Sequence, residues 1–231
     1  MSDFKAIILA GGSGERFWPL STPEKPKQFL RVFGGESLIR QSVSRLKDLV
    51  KPKDVFVITS KQLVAATRKE LSEVPRQNII GEPMRRDTGA AVALGVGVAS
   101  RTGGDVGSSG RNGILGFFSS DQLATNPEKF RKTVAAAIAK ARRKNAIVTI
   151  GIKPEYPATS FGYVNPKTGA FVEKPDEAKA RQYLKKGYLW NAGMFIGRAE
   201  TFKAAFAAHA PALVPLLTSS VSRLKSCYES L

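Results

Sequence analysis

At 231 residues, 42% of them hydrophobic, the chain can bury roughly 70% of its unfolded surface, so it needs neither a disulfide nor a metal to hold a core. Cys227 is its one cysteine and His209 its one histidine, which excludes an intramolecular disulfide, a multi-cysteine zinc site and nucleophilic catalysis of the Ser-His or Cys-His kind. Its 36 Lys and Arg against 19 Asp and Glu leave +17, a field that attracts anions; the basic residues are scattered without interleaved aromatics, so nucleic acid is not the expected partner.

In chain order, the apolar run Phe4 to Ala10 predicts a strand that ends in glycines. That run is too short and wrongly flanked for a signal peptide or membrane span, so a cytoplasmic protein without a membrane partner is expected. The glycine-rich segment Gly11 to Lys27 follows. Ile39, Val43, Leu46 and Val50 then recur at helical spacing, predicting a helix over Glu36 to Val50. Val55 to Thr59 and Asn78 to Gly81 read as further strands, and DTGAAVALGVGVAS as a helix that Thr88 and Gly89 sit at the start of. Arg101 to Gly113 is rich in Gly and Ser and reads as a flexible surface connection. Ile114 to Ser119 is a strand, Asn126 an N-cap with Pro127 in the first turn of a helix carrying Phe130, Val134 and Ile138, and Ala146 to Gly151 another strand. From Phe161 the pattern changes to FGYV, a turn at NPKTG, and FVEKP, a β-hairpin that adds antiparallel strands to a mostly parallel sheet. Trp190 and Phe195 lie in a further apolar run and read as core aromatics, and His209 as a helix-end or surface residue. Alternating strands and amphipathic helices imply an α/β fold.

The remaining inventory is carboxylates, cationic side chains and backbone amides, the set that phosphoryl and nucleotidyl transfer require, because the protein there mainly neutralises developing phosphate charge. The glycine loop after the first strand lets the backbone approach a triphosphate closely, with Arg16 and Lys27 at hand to neutralise it; a plain glycine turn is the competing reading. It is neither a Walker A loop, since no GxxxxGK[ST] occurs, nor a dinucleotide fingerprint, since Phe17 stands at the third glycine. Asp121, at the end of an apolar strand, is placed to hold magnesium or to be a solvated turn aspartate.

The string LAGGSGERFWPLSTPEKPKQFL resembles the signature of mannose-1-phosphate guanylyltransferases, and GEPMRRDTGAA, FFSSDQL, FVEKPD and YLWNAGMFIG follow in that family's order, from Ile7 to about Gly197. The resemblance implies a Rossmann-like three-layer α/β/α nucleotidyltransferase fold, one domain over 1–231 with a nucleotide part (1–151) and a sugar-phosphate part (152–231), and the reaction of GTP with mannose 1-phosphate to give GDP-mannose and pyrophosphate. By the same resemblance Leu9, Ala10, Gly11, Gly12, Ser13, Gly14, Glu15, Arg16 and Lys27 surround the triphosphate. Arg16 and Lys27 clamp the leaving pyrophosphate, and Asp121, beside Ser120, holds Mg²⁺. Pro83, Arg86, Thr88 and Gly89 fall near the guanine base, although helix capping explains Thr88 and Gly89 equally well. Gly162, Tyr163, Glu173, Lys174 and Asn191 match sugar-phosphate contacts, and a homodimer is compatible with the family. Gln122 stands where histidine is usual, and the family's second metal aspartate, in a segment beginning S-I-D, has no counterpart up to Leu231, so lowered activity is expected. Two other readings remain: a sugar-1-phosphate nucleotidyltransferase of different base or sugar, and a catalytically weakened nucleotide binder.

Overall fold

A computed structural model of the protein describes residues 3–12, 17–22, 26–101, 113–218 and 223–231. At its centre lies β1 (Phe4–Ala10), parallel to β2 (Val55–Ser60) on one side and β4 (Ile114–Ser119) on the other, with β3 (Ile79–Glu82) beyond β2. These strands are apolar along nearly their whole length because helices cover both faces of a parallel sheet. The expected limits of β1 and β4 agree with those observed, β2 extends one residue further, and β3 is shifted one residue toward the C-terminus.

Past β4 the sheet turns antiparallel. β8 (Leu189–Arg198) pairs with β4 through Phe195 to Arg198, and with β6 (Tyr163–Val164) through Leu189 and Trp190. β5 (Val148–Ile152) lies antiparallel to β8 and not in the parallel set in which its apolar pattern placed it. Periodicity registers that a strand is half buried but is blind to which way its neighbour runs. The predicted hairpin forms between β6 and β7 (Phe171–Val172), with Tyr163 opposite Val172. Asn165 builds its turn: Oδ1 accepts from the Lys167 and Thr168 amides, and Gly169 takes the left-handed conformation, φ +77°.

Adjacent residues on a strand point to opposite faces, and the core divides accordingly. Ile8 and Phe118 join Ile39, Leu46, Val134 and Ile138 under α1 (Leu38–Ser44) and α4 (Pro127–Arg143). Ile7 and Phe117 join the other cluster under α3 (Asp87–Arg101), α6 (Ala199–His209), α7 (Val214–Thr218) and α8 (Leu224–Glu229). The α/β/α layering expected from the sequence is thus present. α2 (Val64–Glu70) and α5 (Glu177–Lys185) pack at the margins.

The predicted helix over Glu36 to Val50 is regular only to Ser44; three-residue turns carry it on to Leu49, and Asp48 is left-handed at φ 72°. Its apolar stripe survives, because Ile39 and Leu46 are both fully buried. The Asn126 cap is real, its Oδ1 accepting from the Lys129 amide at 2.9 Å. Small residues let α3 lie between the sheet and a second helical layer: a Cβ on Gly97 would come within 2.6 Å of the Leu216 carbonyl, so α7 meets α3 at backbone distance. His209 ends α6 and is exposed.

Candidate active site

In the order β3-β2-β1-β4, the chain leaves β1 toward one side of the sheet and returns to β4 on the other. Such a reversal opens a crevice beyond the carboxyl ends of the two strands. Leu9 pairs with Ser119 there, and the Ser120 amide donates to the Leu9 carbonyl at 3.1 Å, so Gly11 and Gly12 leave β1 beside Ser119 to Asp121 leaving β4. A cleft of about 710 Å³ occupies this junction.

Lys27 opens a short 3₁₀ turn whose next residue, Gln28, is buried and donates from Nε2 to the Ala10 carbonyl at 3.1 Å. This anchor lays Lys27 across the glycines: a Cβ on Gly12 would stand 3.2 Å from Lys27 Cε. Lys27 Nζ donates to Asp121 Oδ2, and Ser119 Oγ donates to Oδ1. Burial by itself would raise the Asp121 pKa, but the hydrogen bonds from Lys27 and Ser119 and the Lys27 charge together hold it below the usual carboxylate range.

Beneath the carboxylate lies Arg45, from the turn that ends α1. Its guanidinium donates to the Gln122 carbonyl at 2.5 Å and the Ser119 carbonyl at 2.9 Å, and stacks 5.0 Å from the centre of the Phe130 ring. Burial lowers its pKa to about 10, with Asp121 pulling the other way, so it stays charged at neutral pH. It therefore fixes the backbone on both sides of Asp121.

The wall formed by the end of β3 and the start of α3 carries Glu82, Arg85, Arg86, Asp87 and Thr88. Glu82 is buried; Tyr228 Oη donates to its Oε1 at 2.8 Å, and its Oε2 faces Gly11, where an added Cβ would sit 3.1 Å away. Burial raises the Glu82 pKa and the Tyr228 hydrogen bond opposes that shift. On the facing wall Glu173, Asn191, Phe171 and Phe195 line the cleft. Asn191 Oδ1 accepts from Thr149 Oγ1 at 2.8 Å and the Gly193 backbone amide at 3.1 Å.

Of the residues singled out from the sequence, the cleft gathers Leu9, Gly11, Gly12, Lys27, Arg86, Thr88, Ser120, Asp121, Glu173 and Asn191. Others stand behind it. Ala10 is buried, its carbonyl accepting from Gln28 and Thr59. Pro83 borders a smaller adjoining cavity, and Gly89 packs toward Leu213. Gly162 accepts at its carbonyl from the Asn191 amide at 2.8 Å. Tyr163, expected to offer its ring to a sugar, is fully buried with Oη donating to the Ala158 carbonyl at 3.0 Å, because alternation on β6 turns it inward. Lys174 is half exposed and pairs with Glu173 at 3.3 Å. Ser13, Gly14, Glu15 and Arg16, like most of the Gly/Ser-rich connection, lie outside the described residues.

Sequence reasoning missed Glu82, Ser119, Arg45 and the cleft role of Phe195. Glu82 and Ser119 stand inside GEPMRRD and FFSSDQ and were legible as neighbours of assigned residues. Phe195 lines the cleft as well as packing on buried residues, whereas Trp190 meets Tyr156 and Phe161 edge to face. Arg45 sits among apolar helical positions and carries no local signal.

A model of the nucleotidyl transferase family matches residues 5–229. The chain belongs to the nucleotidyl transferase family. Among its relatives in that family are a mannose-1-phosphate guanylyltransferase of Sinorhizobium fredii, 37% identical over 93% of this chain and 43% of that protein, and the xanthan biosynthesis protein XanB of Xanthomonas campestris pv. campestris, 36% identical over 87% and 44%. A solved structure from Thermus thermophilus, described as a mannose-1-phosphate geranyltransferase, superposes with a TM-score of 0.84 at 31% identity, covering 97% of this chain and 67% of that one. The chain thus spans less than half the length of these curated relatives. Among the described residues no helix is long and apolar enough to cross a membrane.

Proposed function

We propose that the chain transfers a guanylyl group from GTP to mannose 1-phosphate, giving GDP-mannose and pyrophosphate. The observation that carries this reading is the Lys27–Asp121 pair set beside Gly11 and Gly12 in a cleft with two differently built walls. Glu82 offers an acceptor to the N1–H and 2-amino donors of guanine. Across the cleft, Glu173 accepts from sugar hydroxyls and Asn191 donates. An oxygen of the sugar phosphate attacks the α-phosphorus; the bond from that phosphorus to the bridging oxygen breaks, and pyrophosphate leaves with the electron pair. Lys27, with Arg16, receives the charge that builds on the leaving group.

Among the described residues no group of three or more His, Cys, Asp or Glu gathers to hold a metal. The fit is to a hard cation that takes one carboxylate from Asp121 and the rest of its ligands from phosphates and water. Asp121 would hold such a cation, and Mg²⁺ there would supply neutralisation of phosphate charge. Before then, Lys27 and Ser119 keep the Asp121 carboxylate ionised and in place.

Pyrophosphate release measured with each of four nucleoside triphosphates against mannose and glucose 1-phosphate tests the reading. GTP with mannose 1-phosphate is expected to give the highest kcat/KM; a preference for another pair assigns a different sugar nucleotide, and no release with any pair removes the enzyme. A smaller change probes the glycine loop. Gly12→Ala puts a methyl against Lys27 Cε, and displacement of the amine by a fraction of an ångström is expected to lower turnover about tenfold or more with the fold intact. Wild-type turnover in that variant would show that Lys27 does not work from across Gly12.

A further inference from the structure

Tyr228 belongs to α8, far in sequence from the cleft, and is fully buried. It makes two bonds to one short segment. Its hydroxyl donates to Glu82 Oε1 at 2.8 Å, and its carbonyl accepts from Arg86 Nε at 3.1 Å. Glu82 is the last residue of β3 and Arg86 immediately precedes α3, so Tyr228 grips both ends of the loop that forms the base-side wall. A loop tied at both ends has few arrangements to lose when a ligand binds. Among the described residues Glu82 keeps one oxygen, Oε2, without a hydrogen-bond partner, and it lies toward Gly11 at the cleft.

We infer that Tyr228 is the positioning residue for base recognition: it holds the Glu82 carboxylate aimed so that Oε2 accepts from the donor edge of the nucleotide base. The inference rests on the nucleotide reading given above and assigns to α8, a short helix packed on α7, a part in choosing the triphosphate. The hydroxyl is what does this, since the ring is simply core. A carboxylate buried beside a glycine loop tends to take up a proton, and a donor hydrogen bond to it is a direct way to keep it charged.

Tyr228→Phe keeps the buried ring and removes only the hydroxyl, so the thermal midpoint is expected to stay within about 4 °C. In calorimetric titrations the variant should bind GTP about tenfold more weakly than wild type, and its preference for GTP over ATP should narrow by a similar factor. The pH profile gives a readout that loosened packing would not move. Without the hydroxyl, Glu82 takes its proton at a higher pH, so GTP binding should fail at a higher pH in the variant as the solution is acidified. Lys61, Arg85, Arg86 and Asp87, the charged groups that border the same cavities near Glu82, are unchanged in the variant. In a Glu82→Gln background, Tyr228→Phe should add no further loss. Additive losses, or an unchanged GTP affinity and pH profile, would overturn the role of Tyr228 while leaving the nucleotide site standing. If wild-type protein binds no nucleoside triphosphate, the nucleotide reading itself fails, and this inference with it.

Discussion

Replacing Lys27 with alanine is expected to lower the rate of pyrophosphate release by about two to three orders of magnitude, with the thermal midpoint little changed. The amine lies partly exposed in the cleft, and its anchoring to the fold comes from Gln28, not from Lys27 itself. Its ion pair with Asp121 is between two groups that water still reaches, so losing it costs little folding energy. Catalysis is a different matter, because charge builds on the leaving pyrophosphate as the bond breaks, and a fixed cation stabilises that state more than the ground state. The loss should therefore appear in kcat, with KM for the triphosphate rising less. Lys27→Arg keeps the charge but is longer and planar, and should recover only part of the rate. Wild-type turnover in Lys27→Ala would remove this residue from the mechanism.

Asp121→Asn is expected to cost a similar factor in turnover and, unlike Lys27→Ala, to be measurable in stability. The carboxylate accepts from Lys27 and Ser119 and sits above the buried Arg45 guanidinium; the amide that replaces it has no charge to offset either cation. The sign of the pH dependence follows from the lowered pKa. A carboxyl whose folded-state pKa lies below its unfolded value contributes stability that is present above the unfolded value and lost as pH falls through the folded one. The difference in thermal midpoint between wild type and Asp121→Asn should thus be steady near neutral pH and shrink as the pH falls from about 5 toward about 2, through the unfolded and then the lowered folded value. A gap that stays constant over that range would mean that Asp121 is not held ionised by its neighbours. The same variant separates metal binding from electrostatics: its residual activity should need much more Mg²⁺ than wild type for half-maximal rate.

These two residues also mark how far the sequence is legible. Lys27 and Asp121 are each singled out by the motif around them, but nothing in the sequence says that one nitrogen and one oxygen so far apart along the chain touch. Adjacent pairing of β1 with β4 makes the contact, and strand order is not a local property. Arg45 shows the limit more sharply. A helical position followed by an apolar stripe predicts burial of the stripe, yet the guanidinium is buried as well, because two carbonyls and an aromatic ring happen to converge there. Tyr163 differs in the opposite direction: the resemblance matches its ring to a sugar contact, whereas the strand turns the ring inward, fully buried with its hydroxyl donating to the Ala158 carbonyl.

What the sequence determined by itself were the properties that depend on near neighbours: the strands at Phe4 and Ile114, the Asn126 cap, the hairpin at Asn165, and a glycine loop with a cation close behind it. Each rests on backbone conformation or side-chain periodicity within a few residues. The tertiary structure alone decided which carboxylate faces which amine, which way β5 runs, and that a tyrosine of the last helix closes the wall of the cleft. Those contacts depend on where the sheet places segments far apart along the chain, and that placement follows from burying two apolar faces at once, which no short window of sequence contains.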